Sequence, residues 1–167
     1  LGRRRRLPGL HHPYLRGGDG GARGTDPDLT VSWVNGDSVL ALDIVPVGLP
    51  TVEWGGGNDN ASTNWIDAKL EELGGPAGGA ARTPPPPTPR PTVSIWTRWR
   101  RSPPDLIVAA YSGGLTEEEY TQLSKIAPTI GPLGANYTAG WEDVLTAVGQ
   151  ATGRAEQAQE VIDTVSA

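Results

Sequence analysis

Apolar and polar positions along this chain fall into short runs of two kinds, and the runs alternate. Leu106 to Ala110 (LIVAA) is continuous and apolar, the pattern of a strand buried on both faces. Thr30 to Val34 (TVSWV), Val45 to Leu49 (VPVGL) and Thr129 to Leu133 (TIGPL) predict three further short strands. Between them the period changes to that of a helix. Val39, Leu40 and Leu42 predict a short helix, preceded by a turn and cap at Asn35-Gly36-Asp37-Ser38. Trp65 to Leu73 (WIDAKLEEL) carries Ile66, Leu70 and Leu73 on one face and is closed by Gly74-Gly75. Trp141 to Val148 (WEDVLTAV) predicts another helix, broken by the stretch Gly149 to Gly153. Arg154 to Ala167 is rich in good helix formers, with Ala158, Val161, Ile162 and Val165 on one face and no C-cap before the last residue.

The run from Pro104 to Pro128 reads as one supersecondary unit. After the LIVAA strand, Tyr111-Ser112-Gly113-Gly114 predicts a sharp turn. Thr116 is an expected N-cap with Glu119 at the capping-box position. Tyr120, Leu123 and Ile126 then recur at helical spacing until Pro128 ends the helix. Strand, glycine turn and helix form the βα half of a parallel α/β unit. In such sheets ligands sit beyond the carboxyl ends of the strands, where Tyr111 and Ser112 fall.

Two segments do not fit this alternation. Residues 1–29 hold a basic, glycine-rich stretch without periodicity, expected to be irregular or disordered. Residues 76–103 form a Pro-rich, then Arg- and Trp-rich insert where an α/β array normally has a connection of about 2–6 residues. Written in GC-rich codons and shifted in frame, the first becomes an alternating strand-type sequence and the second an amphipathic helix. Both are therefore expected to be frame-shifted, and Trp96, Trp99, Arg98, Arg100 and Arg101 to carry no function.

Composition narrows the classes. The 167 residues include 23 Gly and 16 Pro, and neither Cys, Met nor Phe. Without Cys there is no disulfide scaffold and no thiolate metal site. No apolar run approaches the roughly 20 residues of a membrane span. The net charge of −5 hides an uneven distribution, because 11 of the 14 basic residues lie in Leu1 to Asp28 and Arg82 to Ser102. The remaining body is strongly acidic, which argues against nucleic acid as a partner. The GGGN run at 55–58 lacks the spaced glycines and the Lys of a phosphate cradle.

The segment PDLIVAAYSGGLTEEEYTQLSKIAPTI, followed from Trp141 by WEDVLTAVGQATGRAEQAQEVI, resembles the iron–siderophore periplasmic binding proteins of ABC importers, the helical-backbone class. VLALDIVPVGLP resembles that family's first helix and second strand. The resemblance covers about residues 30–75 and 103–167. It implies an α/β fold: a three-layer, Rossmann-like lobe with a short parallel sheet and flanking helices over residues 30–153. Residues 154–167 would begin a truncated interlobe helix, so that the chain is an N-terminal lobe. It also implies an extracytoplasmic protein, periplasmic or a cell-surface lipoprotein, although no lipobox Cys is present. The implied partners are a ferric siderophore, carried as ligand and not as cofactor, and the permease. The family docks on its permease through an exposed acid on each lobe, and Glu117, with Glu118 next, matches that position.

The candidate ligand contacts are aromatic and polar residues that follow the predicted strands: Trp33 and Asn35, Trp54, Tyr111 and Ser112, and Tyr137. A receptor for a preformed chelate needs aromatic walls and a few hydrogen-bonding groups, and no metal ligands of its own. Each aromatic residue could equally be a half-buried packing residue, and Trp65 and Trp141, at helix starts, could wall the cleft or pack internally, with packing the preferred reading. Outside the two anomalous segments the basic residues are Lys69, Lys125 and Arg154, so an anionic chelate would need arginines from another lobe, whereas a neutral or cationic hydroxamate complex would not. Two other classes stay open: an α/β hydrolase or nucleotide-binding enzyme fragment using Ser112 and the GGGN loop, and a structural fragment that binds nothing. No histidine outside the basic N-terminal segment stands ready to activate Ser112.

Overall fold

The computed structural model describes residues 29–30, 35–50, 52, 58–59, 61–75, 81–83, 104–113, 115–135 and 137–167. The stretch 1–28, most of 76–103, Trp33, Trp54 and Gly55 to Gly57 lie outside the described residues. The elements in order are β1 (Leu29–Thr30), α1 (Asn35–Leu40), β2 (Gly48–Pro50), α2 (Asn64–Glu72), β3 (Ala81–Thr83), β4 (Ile107–Val108), α3 (Glu117–Ser124), β5 (Thr129–Ile130), α4 (Trp141–Ala151) and α5 (Ala155–Val165). The α/β class expected from the alternation is what forms.

Among the described residues the strands make one five-stranded sheet in the order β3-β2-β1-β4-β5. Every pairing is parallel, with Leu29 opposite Gly48 and Ile107, and Ile107 opposite Thr129. The order reverses between β1 and β4, which is where open parallel sheets leave a crevice at their carboxyl edge. β3 lies inside the segment expected to be an irregular insert. Its backbone nevertheless pairs with β2 from Gly48↔Ala81 to Pro50↔Thr83, because ladder hydrogen bonds are made by peptide groups whatever the side chains.

β4 is buried on both faces, as its unbroken apolar run requires. Leu106, Val108 and Ala110 join α1 and α4 residues Val39, Val144, Leu145 and Val148 in the main core. Ile107 points the other way, to Leu123 and Ala127. A third cluster packs Leu40 and Leu49 on Ile66 and Leu70 of α2.

The helix ends follow the local chemistry. Thr116 and Glu119 close a reciprocal capping box on α3: the Glu119 N–H donates to Thr116 Oγ1 at 3.2 Å, and the Thr116 N–H donates to Glu119 Oε2 at 2.9 Å. Asn35 to Ser38, expected as a turn and cap, are instead the first residues of α1 itself. The expected break at Gly149 is also corrected. α4 runs through Gly149 to Ala151 and ends at Gly153, whose φ of +73° only glycine adopts cheaply. The Arg154 N–H then donates to Gly149 O at 2.7 Å, a six-to-one closure that turns the chain straight into α5.

α5 is fastened to the rest of the fold at its start. The Arg154 guanidinium donates to the Leu42 carbonyl. Gln157 Nε2 donates to Asp43 Oδ2 at 2.8 Å, and Asp43 also pairs with Lys69 of α2 at 2.8 Å. The hydrogen bond from Lys69 holds the Asp43 carboxyl below its ordinary range. Among the described residues no helix is long and apolar enough to cross a membrane.

Candidate functional site

In a parallel sheet each helix starts near the carboxyl end of the strand before it. The first turns of α1, α2 and α4 and the turn after β4 therefore gather along one edge. There they enclose a groove of about 740 Å³. Its walls include Asp37, Trp65, Tyr111, Trp141 and Val144, and Val161 and Val165 of α5 close one side.

Trp65 and Trp141 were expected to pack internally. They are instead 48% and 42% exposed and line the groove. Position explains the difference: each is the first or second residue of its helix, so its side chain lies beyond the layer that the apolar stripe buries. Sequence reading also missed Asp37, Val161 and Val165. Val161 and Val165 were legible only as one stripe of α5, and nothing local said that part of that stripe would stay open.

Tyr111 is the meeting point. It borders the groove on one side, and on the other its ring lies 5.4 Å from that of Tyr137, tilted by 49°. Tyr137 is 48% exposed and sits at φ +63°, a left-handed backbone that costs a non-glycine residue on the order of 1 kcal/mol. Its ring lies directly over Gly113, where even a methyl group would collide with it. Glycine at 113 is thus required for this close approach. Ser112 is buried, and its Oγ has no hydrogen-bond partner among the described residues.

Asn35 corrects an expectation. It was placed among the ligand contacts, but it is 0% exposed. Its amide spans the Tyr111 peptide: Nδ2 donates to the Tyr111 carbonyl at 3.2 Å, and the Tyr111 N–H donates to Oδ1 at 2.8 Å. Asn35 therefore positions the turn that carries Tyr111 and Ser112, joining β4 to α1 at the place where strand order reverses. Arg154 is likewise drawn to the Leu42 carbonyl, at the far end of α1 from Asp37. Glu117 and Glu118 are exposed on the first turn of α3, where the helix dipole favours acids. Trp33 and Trp54 lie outside the described residues. Those residues contain no cluster of three or more His, Cys, Asp or Glu side chains able to hold a metal ion.

Burial against the apolar walls pushes the Asp37 carboxyl up from 3.8 to about 6. Its folded value is above its unfolded one, so its contribution to stability is fully present below about pH 4 and is lost as the pH rises through about 6. At neutral pH ionised Asp37 destabilises the fold by an amount on the order of 2–3 kcal/mol. Asp37→Asn is expected to melt higher than the parent at neutral pH and to match it near pH 4. Identical melting curves at neutral pH would show that the carboxyl is solvated.

No protein-family model and no curated protein sequence matches the chain. Solved structures do. The iron-uptake ABC transporter substrate-binding protein PiaA of Streptococcus pneumoniae, in complex with ferrichrome, is 30% identical, with a TM-score of 0.66 over 84% of this chain and 44% of its own. A periplasmic solute-binding protein of Mycobacterium smegmatis is 27% identical, with a TM-score of 0.68 over 85% of this chain and 46% of its own. The chain is a relative of iron–siderophore ABC substrate-binding proteins. Staphylococcus aureus SirA, complexed with staphyloferrin B, shares the fold at 21% identity and a TM-score of 0.58. The chain spans under half the length of each of these relatives. The kinship read from the βα unit at 104–128 and the helices after Trp141 is borne out.

Proposed function

We propose that this chain is the N-terminal lobe of the extracytoplasmic substrate-binding component of an iron(III)–siderophore ABC import system. In this reading β4 is an inner strand of a three-layer, Rossmann-like lobe over residues 30–153, and α5 begins the helix that leads to a second lobe. A ferric chelate is held between the lobes and a lipid anchor keeps the protein at the membrane. The observation that carries the reading is the groove at the carboxyl edge of the sheet, walled by Trp65, Trp141 and Tyr111. Aromatic walls with few polar groups suit a bulky ligand whose metal is already saturated by its own donors. Tyr137, packed against Tyr111, extends that wall, Ser112 Oγ is buried behind it, and Trp33 and Trp54 are assigned to it from their sequence positions. The role is binding and not catalysis: Ser112 Oγ is buried, and no histidine lies among the described residues to activate it.

The test is tryptophan fluorescence during titration with ferric hydroxamate, carboxylate and catecholate complexes. At least one is expected to quench both this chain and a two-lobe protein containing it. Affinity should be ten-fold or more weaker for the chain alone, on the order expected when half the contacts are missing. Trp65→Leu and Trp141→Leu should each remove part of the signal. If no chelate quenches either protein, the receptor reading is wrong.

Glu117, with Glu118 beside it, is proposed to meet a basic patch on the permease. In the two-lobe protein Glu117→Ala should lower chelate uptake into cells while chelate affinity stays the same. Parallel loss of uptake and affinity would assign Glu117 to the fold or the ligand instead.

A further inference from the structure

Charge in the groove is one-sided. Among the described residues that line it, Asp37 is the one charged side chain, and the rest of the wall is aromatic, aliphatic or hydroxyl-bearing. The nearby cations are turned elsewhere: Lys69 to Asp43 and Glu72, and Arg154 to the Leu42 carbonyl. The other titratable groups on elements packed against α1 are Glu142 and Asp143 on α4, Asp67, Lys69, Glu71 and Glu72 on α2, Arg154 at the start of α5, and the Tyr111 phenol. Of these, Glu142 and Asp143 stand at the rim, with carboxylate oxygens 3.4 and 3.3 Å from where a side chain at Gly140 would begin. Gly140 itself lines the groove. The mouth is thus acidic and the interior holds one acid among rings.

We propose that Asp37 selects a chelate bearing a positive charge, a ferric hydroxamate with a protonated amine, and disfavours anionic carboxylate and catecholate complexes. The inference rests on the receptor reading above. An ammonium group seated among Trp65, Trp141 and Tyr111 gains from the ring faces and from a charge-assisted hydrogen bond to Asp37. A trianionic chelate would bring its charge against Asp37 in a poorly hydrated space, with no described cation to offset it. Bound ammonium also keeps Asp37 ionised, so the selectivity should depend on pH. Below about pH 6 the empty groove holds Asp37 protonated, and the preference should fade.

The experiment compares two probes that differ in one charge: a linear ferric trihydroxamate with a free terminal amine, and the same complex N-acetylated. Tryptophan quenching of this chain near neutral pH should favour the amine form by about 10-fold, the scale of one partly buried charge contact. A ferric tris-catecholate should bind more weakly than either. Asp37→Asn should bring the ratio of the two hydroxamates to about one, and so should lowering the pH of the parent to about 5. Equal affinity for the two forms at neutral pH, or tightest binding of the catecholate, overturns this inference and leaves the receptor reading standing. Silence toward every chelate, with concentration-dependent self-association of the chain, overturns both and makes the groove a protein interface.

Discussion

Asn35→Ala is expected to be among the most damaging single substitutions in the described part of the fold. It removes both hydrogen bonds to the Tyr111 peptide at once. The site is fully buried, so water cannot replace them. Stranding a buried N–H and C=O costs about 1–3 kcal/mol each. A total of roughly 2–6 kcal/mol lowers the melting temperature by on the order of 10 °C for a domain of this size. Asn35→Asp separates the two halves of the clamp. Aspartate still accepts from the Tyr111 N–H but turns a carboxylate oxygen toward the carbonyl, so it should be less stable than the parent, and more so at neutral than at acidic pH. A thermal melt of Asn35→Ala that superimposes on the parent would show that the clamp is dispensable. Chelate quenching should fall more in Asn35→Ala than in an equally destabilised core variant, because the clamp also aims Tyr111.

Gly149→Val is expected to have the second large effect. A Cβ at this position would lie 2.6 Å from the Ala158 Cβ and 3.1 Å from the Arg154 carbonyl oxygen. Helices α4 and α5 therefore cross on two of the smallest side chains, Gly149 and Ala158, and the tight turn at Thr152 and Gly153 leaves them no room to separate. Overpacking of this kind costs about 1–3 kcal/mol. A fall of roughly 5–10 °C in melting temperature follows. Gly149→Ala combined with Ala158→Gly exchanges the two side chains across the contact and should recover most of the loss seen in Gly149→Ala alone. No recovery would mean that the glycine serves the helix backbone and not the crossing.

Both residues show the limit of reading a chain locally. Gly149 looked like a helix breaker because glycine is a poor helix former, yet its reason is a side chain nine positions later on another helix. Asn35 looked like a ligand contact because a polar residue after a strand commonly faces the crevice, yet its partner is 76 residues away. By contrast, the capping box at Thr116 and Glu119 and the closure at Gly74-Gly75 were legible in full. Each joins groups within a few residues of one another, so the sequence window contains both partners.

The same division holds for the molecule as a whole. Sequence alone determined the α/β alternation and the doubly buried strand at Leu106 to Ala110, because periodicity and order are properties of the chain, and the kinship with iron–siderophore binding proteins was carried by the resemblance of residues 104–130 and 141–162 to that family. Tertiary structure decided the strand order and its reversal between β1 and β4. It also decided the clamp of Asn35 on Tyr111 and the gathering of Trp65, Trp141, Asp37 and α5 around one groove. Those depend on which helix starts share an edge of the sheet. That arrangement is set by packing between residues far apart in sequence, and no single stretch of the chain carries it.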